Sequence, residues 1–136
     1  MMTLTEAETV IHKELLRIAV KEDLIVEMPN KPQINGKPFQ APTKKAWSKA
    51  YIQYAHSNIV GIGNEPCVRD FGAISIQCFA PKGTGLVVLS TLCDKWRRYL
   101  QSFRVGGLEV YLVHAPQDMD DDNFYAKIVR AEFRVN

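Results

Sequence analysis

Apolar residues recur along this chain at two spacings, and the spacing decides which element each stretch predicts. Ala7, Ile11, Leu15 and Ile18, helped by Val10 and Ala19, fall on one stripe at intervals of three and four. Glu6, His12, Lys13 and Arg17 fall opposite, so an amphipathic helix is predicted over residues 5–21. Thr5 with Glu8 has capping-box spacing, and Thr3 with Glu6 offers a second register. Leu89, Leu92, Cys93, Trp96, Leu100 and Phe103 repeat the pattern, with Asp94, Lys95, Arg97, Arg98 and Gln101 on the other side. Gly106 and Gly107 are expected to end this second helix, and the arginines of its last turns suit the negative end of its dipole.

Elsewhere the period is two. Ile74, Ile76 and Cys78 alternate with Ala73, Ser75 and Gln77, which predicts a strand over residues 68–79 with one buried face. Aromatic and β-branched content predicts a strand over residues 46–56, and two more close the chain at 108–114 and 124–135. PQDMDDDN between the last two is a polar hairpin connection, and SNIVGIGNEPC, with Gly61, Gly63 and Pro66, is a turn. Leu24-Ile25-Val26 reads as a short strand or a loop start. Pro29, Pro32, Pro38 and Pro42 deny helix and ladder to residues 29–45. That stretch is a long arm, basic at Lys31, Lys37, Lys44 and Lys45, with Phe39 as its large apolar anchor. The expectation is one α+β domain over residues 1–136: a mainly antiparallel sheet of about four strands, two helices on one face, and a proline-rich arm.

Composition narrows the function classes only a little. The 136 residues are 46% hydrophobic and 24% charged, as in ordinary globular chains, and a formal charge of +2 argues against nucleic acid as the main ligand. Cys67, Cys78 and Cys93 form no C-x-x-C pair, which fits free thiols in a reducing cytoplasm. TLTEAETVIHKELL, acidic early, is not expected to be a signal peptide, and no run approaches the roughly 20 apolar residues that cross a bilayer.

Four stretches carry candidate chemistry. In GAISIQCFAPKGTG, Gly83-Thr84-Gly85 is followed by Leu86 and not by a third glycine, and Lys82 precedes its glycine. Neither phosphate-loop pattern is complete, so the stretch reads as a corner with Thr84 near the helix N-cap. A small nucleotide-binding enzyme using Gly83 and Gly85 is the alternative from a different class. In DMDDDN, Asp118, Asp120 and Asp122 take the first, third and fifth places of a calcium loop, but Asn123 and Val129 stand where glycine and glutamate belong. A solvated acidic turn is expected, with weak cation binding left open; such a turn can also dock on a basic neighbour. Cys67, Asp70 and His56 or His114 have no motif that joins them as nucleophile and base. Cys78 and Cys93 lie on apolar faces, and Trp96 belongs to the buried stripe, so Arg97 and Arg98 form a solvated basic face.

Three runs share an order. They are NGKPFQAPTKKAWSK, then RDFGAISIQCFAPKGTG, then the helix closing on Phe103. Asn35, Phe39, Pro42, Trp47, Arg69, Gly72, Gln77, Phe79, Pro81, Gly83, Gly85 and Phe103 resemble the pattern of the tail terminator (tail completion) proteins of long-tailed bacteriophages. Lys49 stands where that family usually has arginine. The resemblance implies a non-catalytic, cofactor-free subunit that closes into a hexameric ring in the virion tail after assembly in the host cytoplasm. Its partners would be the major tail tube protein and a head-tail connector or stopper, with DNA passing through the lumen and no membrane. Another phage neck, minor tail or head completion protein is the related alternative. Phe39, Lys44, Lys45, Arg97 and Arg98 on one side, and Asp118, Asp120, Asp121 and Asp122 on another, are the candidate interface residues.

Overall fold

The computed structural model describes residues 2–29, 39–55, 58–59 and 68–136, with the backbone alone for 58, 59 and 68. Asn35, Lys31 and Lys37 of the arm, His56, Cys67, and Gly61, Gly63 and Pro66 of the expected turn lie outside the described residues.

Helix α1 spans Leu4–Glu22 and starts in the Thr3 register: the Thr3 side chain accepts from the Glu6 amide at 3.1 Å. It stops at Asp23, whose left-handed backbone (φ 54°) lets its amide close on the carbonyls of the last turn. Ala7, Ile11, Leu15 and Ile18 are fully buried. Helix α2 spans Val87–Leu100 and buries Leu89, Leu92, Cys93, Trp96 and Leu100.

The strands are β1 (Val26–Glu27), β2 (Trp47–Tyr54), β3 (Asn58–Ile59), β4 (Val68–Pro81), β5 (Arg104–Val105), β6 (Leu108–Val113), β7 (Gln117–Met119) and β8 (Phe124–Val135). They form a curled, half-barrel sheet in the order β1-β2-β4-β8-β6-β5. β3 continues the β2 edge along β4, and β7 continues the β6 edge along β8. Pairing is antiparallel except for β1 with β2, which is parallel. The spine is the long β4–β8 ladder, from Asp70↔Val135 to Pro81↔Phe124. The sheet is therefore larger than the four or so strands expected. The additional strands are short, and each forms on backbone groups that a longer neighbour leaves unpaired: β1 on β2, β3 on β4, β5 on β6 and β7 on β8.

Alternation along β4 and β8 sorts two faces. Ile74, Ile76, Cys78 and Ala80 join Val129, Ala131, Phe133 and Val135 and both helices in the main core. Each fully buried aliphatic side chain there contributes about 1.5–3 kcal/mol. The opposite face carries a smaller cluster of Trp47, Phe79 and Ala126. One polar chain crosses the core. The Trp96 indole N–H donates to Ser48 Oγ at 3.0 Å, and that hydroxyl donates to Cys78 Sγ at 3.9 Å. It ties α2 to β2 and β4.

Three local expectations are corrected. Gly106 and Gly107 do not end α2; the helix stops at Leu100, and the glycines turn a small hairpin between β5 and β6. Gly106 has φ +56° there. Phe103 stays buried although it has left the helix, so the apolar spacing outruns the element. Residues 58–59 of the expected turn are strand, and so are residues 117–119 of the expected hairpin connection. Thr84 does not cap α2. Its hydroxyl donates to the Pro81 carbonyl at 2.8 Å, and the cap position is Leu86, which has no side-chain acceptor.

Candidate functional site

The corner after β4 is made by glycine. Gly83 and Gly85 both have φ +84°, a region that side-chain-bearing residues enter at a cost. The turn aims Leu86, Val87 and Val88 at solvent, and Leu86 and Val87 are 69% and 75% exposed. Beside it lies the acidic connection between β7 and β8, joined by a 2.6 Å hydrogen bond from Lys82 Nζ to the Asp122 carbonyl. Asp121 Oδ2 accepts from the Asn123 and Phe124 amides, each at 2.9 Å, which spends this carboxylate on holding the turn. Asp118 stays highly exposed, with Lys127 at 3.8 Å, and Asp120 and Asp122 are exposed. Corner and turn enclose an open groove of about 550 Å³ lined by Lys82, Gly83, Gly85, Asp118, Asp120 and Asp121, with Met119 and Phe124 below. Carboxylates on its wall make this groove anionic, which opposes phosphate binding despite the helix N-terminus at its rim.

The arm's anchor sits on the sheet face away from the helices. Phe39 lies 5.5 Å from Trp47, Trp47 stacks on Phe79 at 4.3 Å, and Phe124 meets both rings edge-on. Such aromatic pairs add about 0.5–1.5 kcal/mol beyond their area. Lys44 and Lys45 are exposed just before β2. The registers Trp47↔Phe79 and Pro81↔Phe124 put them at the same end of the sheet as the acidic turn. The structure thus separates the arm lysines from Arg98 and brings them near the aspartates.

Arg97 and Arg98 diverge. Arg97 leans toward Cys93, and its Nε is buried with no partner among the described residues. Arg98 turns to α1, 2.7 Å from Glu22 Oε1. There it joins a cation-rich groove that sequence spacing alone did not disclose, of about 550 Å³, lined by Glu14, Arg17, Lys21, Arg98, Tyr99, Arg104 and Val105 among others, with Glu14 paired to Arg17. Three cations surround the Tyr99 ring: Arg98 at 5.1 Å, Lys21 at 5.4 Å and Arg17 at 5.8 Å. The Tyr99 hydroxyl donates to Glu22 at 2.7 Å. That bond, and then the charge of Arg98, hold the Glu22 carboxyl below its ordinary range against the opposing effect of burial. Arg104 and Arg134 do the same for Glu109. Only the i,i+4 spacing of Arg17 and Lys21 hinted at this groove, because Arg98 and Arg104 arrive from other elements.

Two of the three cysteines lie among the described residues. Cys78 and Cys93 are both buried and free. A hydrogen bond to Cys93, together with burial, pushes the Cys78 thiol up, which keeps it protonated. His114 pairs with Glu132 at 2.9 Å on the surface. Among the described residues no helix is long and apolar enough to cross a membrane, and no three ligating side chains gather for a metal.

No family model matches the chain, and no curated protein is similar to it at a meaningful level. Solved structures include one that superposes with a TM-score of 0.69 over 100% of this chain and 97% of its own, at 15% identity. Its name states no function, and the likeness is one of fold.

Proposed function

We propose that this chain is a tail terminator subunit of a long-tailed bacteriophage, a ring-forming protein that caps the tail tube, stops its growth and joins it to the head connector. The observation that carries this reading is the work done by the described residues of the resemblance. Phe39 and Trp47 seat the arm against Phe79 on the outer sheet face. Gly72 lets Phe133 and the Gln53 carbonyl close up, and Gly83 and Gly85 turn the corner into α2. Each of these residues serves shape, and a capping ring acts through shape and contact.

Charge placement supports the same reading. Acidic turn and basic groove lie toward opposite ends of α2, whose 14 residues span about 21 Å. Copies that meet through two different patches join head to tail, and such contacts make a ring where the rotation between copies closes. The nucleotide-binding alternative draws no comparable support, because Asp118, Asp120 and Asp121 wall the groove at Gly83 and Gly85. The test is to mix the protein with polymerising tail-tube subunits and measure tube lengths by electron microscopy. Shorter, blunt-ended tubes are expected; a length distribution unchanged at saturating protein counts against the reading.

A further inference from the structure

We propose that the groove of Arg17, Lys21, Arg98 and Arg104 receives the acidic turn of a second copy of this chain. The contact rests on the ring reading above and names its two faces.

The groove gathers four cations, and Glu14, which also lines it, is paired with Arg17. The side chains of Arg98 and Arg104 are 66% and 69% exposed, although each already holds a glutamate at 2.7 Å. A guanidinium carries five N–H donors in a planar fork, so one intramolecular partner leaves outward donors for a second carboxylate. Glu22 and Glu109 thus fix the two forks and do not use them up. Lys21 adds an ammonium above the Tyr99 ring, and Val105, 43% exposed, adds an apolar flank.

The ligand is supplied by the same sequence. Asp120-Asp121-Asp122, with Asp118 just before, is the chain's longest run of consecutive acids. Asp121 stiffens the turn through two amides, while Asp118, Asp120 and Asp122 stay exposed. Leu86, Val87 and Val88 stand exposed at the neighbouring corner, which gives the joint an apolar part beside its charges. Turn and groove lie at opposite ends of one helix, so a single copy does not satisfy both. The contact is between copies, and it is heterologous.

Sedimentation velocity on the intact protein tests this at low and at high salt. Variants are Arg98→Glu with Arg104→Glu, Asp120→Lys with Asp122→Lys, and a chain carrying all four changes; circular dichroism monitors folding. Each reversed pair is expected to weaken self-association about tenfold or more, and the four-fold variant to regain it. Wild-type association is expected to weaken at high salt, where the screening length falls to about 3 Å at 1 M. If a reversed pair does not fold, Arg98→Ala with Arg104→Ala gives the same readout. Assembly that ignores the reversals, or a loss that the four-fold variant does not restore, overturns the contact while leaving the ring reading standing. A wild-type chain that stays monomeric at every concentration also overturns it, and the tube-length assay then judges the terminator reading separately.

Discussion

Gly72 and Phe133 leave no room between them. A methyl group built on Gly72 stands 2.7 Å from Phe133 Cζ and 2.7 Å from the Gln53 carbonyl oxygen. Phe133 is fully buried and Gln53 pairs with Ala73 beside the contact, so neither gives way cheaply. Gly72→Ala is therefore expected to destabilise the fold by about 1–3 kcal/mol through overpacking. Urea denaturation reads this directly, and an unchanged midpoint would contradict the packing. Phe133→Leu placed in the same chain is expected to recover part of the strain while opening space elsewhere.

Ser48 gives the second test. Its hydroxyl is the acceptor for the indole N–H of Trp96, and both residues are fully buried. Ser48→Ala leaves that donor unpaired in the core, a loss of about 1–3 kcal/mol. Trp96→Phe removes the donor along with indole volume. The Ser48→Ala change should cost less in the Trp96→Phe background than in wild type, and additive thermal shifts would show that the bond carries no coupling.

Some of this fold was plain from the pattern. β8 (Phe124–Val135) is the span the sequence predicts, and the stripe of α1 is the buried one. Both elements bury one face along their whole length, so periodicity has many residues to act on. β7 gave no such signal and β1 only the short apolar run Leu24-Ile25-Val26, because two- and three-residue strands owe their existence to backbone groups on a neighbour. The end of α2 was misplaced for a related reason: Phe103 keeps the helical spacing while belonging to the loop, and the Phe103 amide bonds back to the Leu100 carbonyl at 3.2 Å.

The interface candidates were legible as residue types and not as places. That Lys44 and Lys45 share an end with Asp120 depends on two strand registers, and that Arg98 meets Arg17, Lys21 and Arg104 depends on how α1, α2 and β5 pack together. Neither relation leaves a trace in local spacing.

Tyr54 carries a pH signature. Its partial burial, then its 3.0 Å hydrogen bond to Glu8, push it up to about 12 from the ordinary 10.0. The folded state therefore holds this proton more tightly than the unfolded chain. Its contribution is complete below pH 10 and is lost as the pH rises through about 12. Ultraviolet titration should show late tyrosine ionisation that Tyr54→Phe reduces, Tyr111 being raised as well by its burial. Tyr54→Phe should flatten the alkaline loss of stability in that window, and an equally steep loss would refute the linkage.

Phe39 separates the arm from the core. The ring rests on Trp47 in the small outer cluster, apart from the main core where Trp96 is fully buried. Phe39→Ala is expected to shift tryptophan emission to the red through Trp47 while lowering stability by no more than about 1–2 kcal/mol. If arm seating matters for assembly, the same variant caps tubes poorly though folded. Normal capping by a chain with an exposed Trp47 would remove the arm from the mechanism.

The corner discriminates between the two classes of function. Nothing lies within 4 Å of a methyl group added at Gly83 or Gly85, so the cost of alanine there is conformational alone. With φ +84° at both, each substitution is expected to lose about 1–2 kcal/mol of stability. A terminator needs this backbone only to redirect the chain, so Gly83→Ala and Gly85→Ala should still cap tubes at temperatures where they are folded. A phosphate-binding enzyme needs the same amides to touch its ligand. Nucleotide titration of the wild type, followed by tryptophan fluorescence, is expected to give no saturable change, since the carboxylates of Asp118, Asp120 and Asp121 repel the phosphates. Saturable binding that either alanine abolishes would transfer the case to the enzyme.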